Sequence, residues 1–139
     1  MTLFIFDTDH LSLFQRGDAK IGTRFQLVSP EQIAITVITA EEAIRGRFSR
    51  IKAAQTEPAK IRAYHWLNET LELLKDFSIL PYDQKASTAY ELLRQQKLRI
   101  GTQDLRIAAI ALVMDAILLT RNQKDFGQID GLKLEDWAK

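Results

Sequence analysis

The stretch TLFIFDTDHLS, residues 2–12, passes without a turn signal from an apolar run into two carboxylates, Asp7 and Asp9. Leu3 to Phe6 is apolar at every position, which suits a strand buried on both faces rather than one with a wet side. Strands of that kind belong to parallel sheets covered by helices, and such sheets place their sites just beyond the carboxyl ends of the strands. Asp7 therefore stands where a functional acid is expected. Asp9 has a plainer role available, as the residue that starts and caps the first helix.

Comparable runs recur at Ile33 to Ile38, Ser78 to Leu80, Ala116 to Thr120 and, more weakly, Leu132 to Leu134. Helical patterns separate them. A short helix ends at Gly17, and another spans Asp18 to Leu27 before Ser29-Pro30. Ile44, Phe48 and Ile51 repeat at helical spacing, and Pro58 opens a helix with an apolar stripe of Ile61, Tyr64, Leu67, Leu71 and Leu74. Asp83 caps a helix from Gln84 to about Leu98, and Gly101 precedes one from Gln103 to Met114. This alternation predicts an α/β fold, a three-layer α/β/α domain with a mostly parallel sheet of four to five strands. At 139 residues the chain reads as one domain, residues 1–139.

Composition narrows the chemistry. A net charge of +1 gives no global polycation, so any nucleic-acid surface must be local. The absence of cysteine excludes disulfides, thiolate zinc sites and cysteine nucleophiles. His10 and His65 are too few for a histidine-based metal site. No leader pattern and no membrane-length apolar run is present, so a cytoplasmic protein without membrane contact is expected.

Acids and an amide fall at four strand-end or helix-start places: Asp7; Glu41 and Glu42; Asp104; Asn122 and Asp125. Brought to one sheet edge, these carboxylates would repel one another, and a hard divalent cation such as Mg²⁺ or Mn²⁺ would relieve that. Each acid also has a structural alternative. Thr39 to Glu42 fits a capping box. Thr102 can cap the helix that carries Asp104, leaving Asp104 free in its first turn. Asn122 and Asp125 are common turn formers. Glu42 is preferred to Glu41, because Gly46 one turn later leaves open space beside it.

Four segments, FIFDTDHLS, TVITAEEAIRG, IGTQDLRIAAIAL and AILLTRNQKDFGQIDGLKLEDW, together resemble the PIN-domain family, most closely the VapC-type toxins of prokaryotic toxin–antitoxin pairs. The resemblance implies metal-binding acids at Asp7, Glu42 and Asp104. It leaves a fourth position divided between Asn122 and Asp125. Many relatives carry Asn where this chain has Asp9, which marks Asp9 as a supporting residue. The implied activity is cleavage of single-stranded RNA, tRNA or another structured RNA included. One or two Mg²⁺ or Mn²⁺ ions would activate a water for in-line attack on the phosphate. Arg45, Arg47 and Arg121 are candidate RNA-backbone contacts, and Thr120 a candidate for steadying a water. A VapB-type antitoxin laid over the acidic groove, and a homodimer formed through the apolar surface of the Ile61–Leu71 helix, are the implied partners.

Two other functions compete. FIFDTDHL also fits the strand-then-D-x-D start of a haloacid-dehalogenase-like phosphatase, with Asp7 as nucleophile and Asp9 as general acid. That fold needs a later lysine and paired acid that do not occur in order here. A non-catalytic binding module of the same fold is the third possibility, although a pure binder has no physical reason to keep the acidic set together.

Overall fold

The computed structural model describes every residue from Met1 to Lys139. Five strands form one sheet: β1 (Phe4–Phe6), β2 (Ile33–Thr36), β3 (Ser78–Leu80), β4 (Ile117–Leu119) and β5 (Lys133–Glu135). Their spatial order is β3-β2-β1-β4-β5, and every neighbouring pair is parallel. The chain thus winds outward from β1 to β3, then crosses back to β4 beside β1. The reversal between β1 and β4 is the topological switch point of the sheet.

Helices cover both faces: α1 (Thr8–Gln15), α2 (Ala19–Gln26), α3 (Val37–Ala53), α4 (Glu57–Leu74), α5 (Gln84–Gln95), α6 (Thr102–Val113) and the short α7 (Gln123–Phe126). Strand parity divides the core. Ile5, Ala34 and Leu118 join α5 and α6 on one side, whereas Phe6, Ile33, Ile35 and Leu119 join α1 and α2 on the other. The result is a three-layer α/β/α sandwich. α6 is buried through Leu105 and Ile107 to Ala111, which explains why its sequence is apolar almost all round.

The second layer is aromatic. Phe6 meets Phe14, Phe25, Phe77 and Trp137 with ring centroids 5.7, 6.2, 5.7 and 5.8 Å away. Such tilted and edge-on pairs add to the stabilisation from burial alone. Trp137 is 2% exposed, so the C-terminal segment is part of this core.

Several boundaries differ from the sequence reading, each for a local reason. The run Ile33 to Ile38 is divided, because Thr36 ends β2 and caps α3, with its Oγ1 accepting the Thr39 N–H. Thr39 is therefore inside the helix, and the Thr39–Glu42 capping box does not form. α5 stops at Gln95, and Lys97 turns the chain with φ of 55°. Gly101, not Thr102, is the N-cap of α6. Asp83 does cap α5, accepting the Ala86 N–H at 3.0 Å.

Phe6→Ala should lower the unfolding free energy by about 3–5 kcal/mol, as expected for an aromatic cavity in a packed core. Urea denaturation followed by tryptophan fluorescence measures it, and a loss below about 1 kcal/mol would mean the cluster is not well packed.

Candidate functional site

The switch point gathers its acids from four elements. Asp7 leaves β1 and is 6% exposed. It is itself the N-cap of α1: its Oδ1 accepts the His10 N–H at 2.7 Å. The helix-starting role assigned to Asp9 therefore belongs to Asp7, and one carboxylate both caps the helix and faces the strand ends. Its backbone N–H donates to the Leu119 carbonyl at 3.1 Å, tying Asp7 to the end of β4.

Glu42 lies on α3, two turns from its cap. Thr8 Oγ1 donates to Glu42 Oε1 at 2.6 Å, so α1 holds the acid that α3 carries. A Cβ added at Gly46 would meet no atom within 4 Å, in keeping with the open space expected beside Glu42. Glu41 takes a different path: it accepts from Gln103 Nε2 at 2.9 Å and pairs with Arg45.

Asp104 stands in the first turn of α6. Asn122 is the N-cap of α7, with its Oδ1 accepting the Asp125 N–H at 3.2 Å and its Nδ2 donating to Asp125 Oδ2 at 3.0 Å. The amide thus supports the acid, and Asp125 brings the charge. Thr120 is fully buried, and its Oγ1 accepts the Asn122 N–H at 2.9 Å, which shapes the loop.

Electrostatics report the convergence. Asp104's pKa is raised to about 6, first by burial, then by the charges of Glu42, Asp7 and Asp125. A carboxylate beside three others in a half-buried place holds its proton well above the usual range. The donor set is all oxygen, which matches a hard divalent cation rather than a soft one. No side chain donates to Asp7 Oδ2, Glu42 Oε2 or either oxygen of Asp104, so these atoms are available as ligands.

A second group is closer in sequence but fits a cation less well. Asp7, Asp9 and His10 each bring a ligand atom within 4.8 Å of one another. Asp9, however, forms a two-point ion pair with Arg121, at 2.7 and 2.8 Å. That hydrogen-bonded pair lowers Asp9's pKa below the usual carboxylate value. An acid held ionised in this way is a poor general acid, which weighs against the phosphatase-like mechanism.

His10, set aside in the sequence because histidines are few, is fully buried here. Its Nε2 accepts the Trp137 N–H at 3.2 Å, so the neutral ring carries its proton on Nδ1, 3.5 Å from Asp7 Oδ1. The sequence signal for it was its place three residues after the acid, one helical turn away.

The candidate RNA-binding arginines are engaged differently. Arg47 Nε donates to Thr70 Oγ1 at 2.9 Å, and its guanidinium lies 4.7 Å from the Trp66 ring centroid. Arg121 holds Asp9, and Arg45 pairs with Glu41 on the exposed face of α3.

A family model described as the PIN domain matches residues 5–132. The chain belongs to the PIN-domain family. Ribonuclease VapC1 of Haemophilus influenzae strain R2866 is 31% identical over 141 aligned positions, covering 99% of each chain. Ribonuclease VapC1 of Rickettsia felis is 31% identical over 134 positions, covering 94% of this chain and 92% of the relative. Among solved structures, VapBC-1 from nontypeable Haemophilus influenzae superposes with a TM-score of 0.75 at 28% identity, covering 99% of this chain and 100% of that chain. VapBC2 from Rickettsia felis, solved bound to a DNA fragment from its promoter, gives 0.77 at 25% identity, covering 98% and 99%. No helix of this chain is long and apolar enough to cross a membrane.

In metal-free buffer, the raised pKa of Asp104 has a definite consequence for stability. Its protonated form favours the fold, so that contribution is fully present below the unfolded value of 3.8 and is lost as pH rises through about 6. Asp104→Asn should therefore melt a few degrees above wild type at pH 7.5 in EDTA, with the gap closing as pH falls below 6 towards 3.8. A gap independent of pH would show that Asp104 is not crowded by the other acids.

Proposed function

We propose that this chain, residues 1–139 acting as a single PIN domain, is a divalent-metal-dependent endoribonuclease that cleaves single-stranded RNA. The proposal makes it the toxin of a toxin–antitoxin pair, held inactive by a VapB-type antitoxin. The observation that carries this is the crowding of Asp104 by Glu42, Asp7 and Asp125, four acids from four separate segments. Support comes from the curated relatives named as ribonucleases and from the VapBC complexes of the same fold.

Asp7, Glu42 and Asp104 are the residues that would hold the cation, with Asp125 as the fourth acid and Asn122 as its support. A divalent ion such as Mg²⁺ or Mn²⁺, when bound, supplies charge neutralisation, Lewis acidity toward a phosphodiester and a lowered pKa for water. The chain's own part is to hold oxygens ready. Asp7 is pinned by the His10 N–H and by the backbone bond to β4. Glu42 is pinned by Thr8, and Asp125 by Asn122. Preorganised acids of this kind lose little freedom when a ligand arrives.

The RNA backbone would run along the site's rim, with Arg121 and Arg45 the arginines placed to meet phosphates. Arg47 is bound into the α1–α4 contact, so its part is to brace that contact rather than to touch RNA. An arginine from the antitoxin would find the same carboxylates and compete for them. Phe48, Ile61, Tyr64 and Leu71 remain exposed on α3 and α4, an apolar surface suited to a second copy or to the antitoxin.

The test is cleavage of a fluorescent single-stranded RNA in Mg²⁺ or Mn²⁺. Asp7→Asn and Asp104→Asn should each lose more than about a hundredfold, because ligands matter more than their outer partners. Asp125→Ala should cost more than Asn122→Ala, and equal, negligible effects would remove both from the site. Asp9→Asn should cost under about fivefold, the scale of an exposed ion pair. Full activity in Asp104→Asn would sink the metal-site assignment.

A further inference from the structure

Glu42 accepts from one hydroxyl, that of Thr8, and two further threonines stand behind it. Thr36 and Thr39 are both fully buried, and neither is claimed by the acids directly. The Thr39 N–H donates to Thr36 Oγ1 at 3.1 Å, and Thr36 Oγ1 lies 3.4 Å from Thr39 Oγ1. Thr39 Oγ1 is 3.1 Å from Thr8 Oγ1, which is 2.6 Å from Glu42 Oε1.

Counting protons orders these contacts. A hydroxyl has one proton to give, and a carboxylate only accepts. Thr8 spends its proton on Glu42, so the proton between Thr8 and Thr39 must come from Thr39. Thr39 then has none left, so Thr36 donates to Thr39. The bonds therefore run one way, from the Thr39 N–H through Thr36, Thr39 and Thr8 to Glu42 Oε1. Aligned bonds polarise one another and strengthen the last in the series.

We propose that Thr36, Thr39 and Thr8 form a directional hydroxyl relay that sets the orientation of the Glu42 carboxylate, which makes Thr8 and Thr39 positioning residues of the cation site. The relay fixes Oε1 and leaves Oε2 without a donor. It also couples α1, which begins next to Asp7, to α3, which carries Glu42. A threonine after Asp7 thus does for Glu42 what a capping hydroxyl does for a helix end: it selects one rotamer of a flexible chain. The proposal rests on the metal-site reading above and adds to it residues that touch no cation themselves.

The test uses the full-length, metal-free protein at pH 7.5, titrated with Mn²⁺ and followed by calorimetry, with circular dichroism melts on the same samples. Thr8→Val should weaken Mn²⁺ binding by about tenfold or more, the range for outer partners of metal ligands. Thr8→Ser, which keeps the hydroxyl, should bind as wild type does. Thr39→Ser should also bind normally, whereas Thr39→Val should weaken binding less than Thr8→Val, since it acts through Thr8. In a Glu42→Ala background, Thr8→Val should add no further loss, because the relay's target is gone.

Equal Mn²⁺ affinity in wild type and Thr8→Val, with Asp104→Asn deficient, would overturn the relay and leave the metal site standing. A further loss from Thr8→Val on top of Glu42→Ala would overturn it too, by showing that Thr8 acts elsewhere. If wild type and Asp104→Asn bind Mn²⁺ alike, the metal site itself falls and the relay with it. Should Thr8→Val melt too low for titration, Thr8→Ala compared with Thr8→Ser decides the same question, and equal affinity in those two rejects the relay.

Discussion

Mutual repulsion among carboxylates gathered at one end of a buried sheet is the constraint around which this molecule is organised. Asp7, Glu42, Asp104 and Asp125 come from four segments, and nothing in their own chemistry favours their meeting. What brings them together is the packing behind them: a parallel sheet whose β1 and β4 lie side by side, an apolar α6, and an aromatic layer around Phe6. Burial of that core outweighs the cost of the crowded charges.

The four acids differ in how the protein supports them. Asp7 accepts a backbone N–H, Glu42 a threonine hydroxyl, and Asp125 the side-chain amide of Asn122. Asp104 has no such donor, and it is the acid whose pKa rises to about 6. Burial and then the charges of Glu42, Asp7 and Asp125 raise it, and no hydrogen bond to the charged form offsets them.

Around the rim, charges are matched rather than left open. Asp9 accepts from Nε and one terminal nitrogen of Arg121, Glu41 bridges Arg45 and Gln103, and Arg47 is stacked against Trp66. Asp9 and Arg121 are 112 positions apart in the chain, so their pairing also clasps the start of α1 to the loop after β4. The pair DTD is thus asymmetric: the first acid faces the crowded centre, and the second closes its edge.

By itself the sequence determined the class of fold and the places where acids emerge. Short apolar runs with no alternation, bounded by turn signals, suit strands covered on both sides, and the residue after such a strand lands at a sheet edge, which is why Asp7 was legible; Asp104 was legible because the helix leading to the next parallel strand starts at that same edge. Capping was misread where several candidates stood close together. Asp7 rather than Asp9, Thr36 rather than Thr39, and Gly101 rather than Thr102 begin their helices. A cap is chosen by where the strand actually ends, and propensity alone cannot resolve a shift of one to three residues. Only the tertiary structure decided how the acids are supported. The Thr8–Glu42 bond, the His10–Trp137 bond and the Asp9–Arg121 pair join residues 34, 127 and 112 positions apart. Contacts of that range leave no periodic trace in the chain, because they depend on how its elements pack and not on any local pattern.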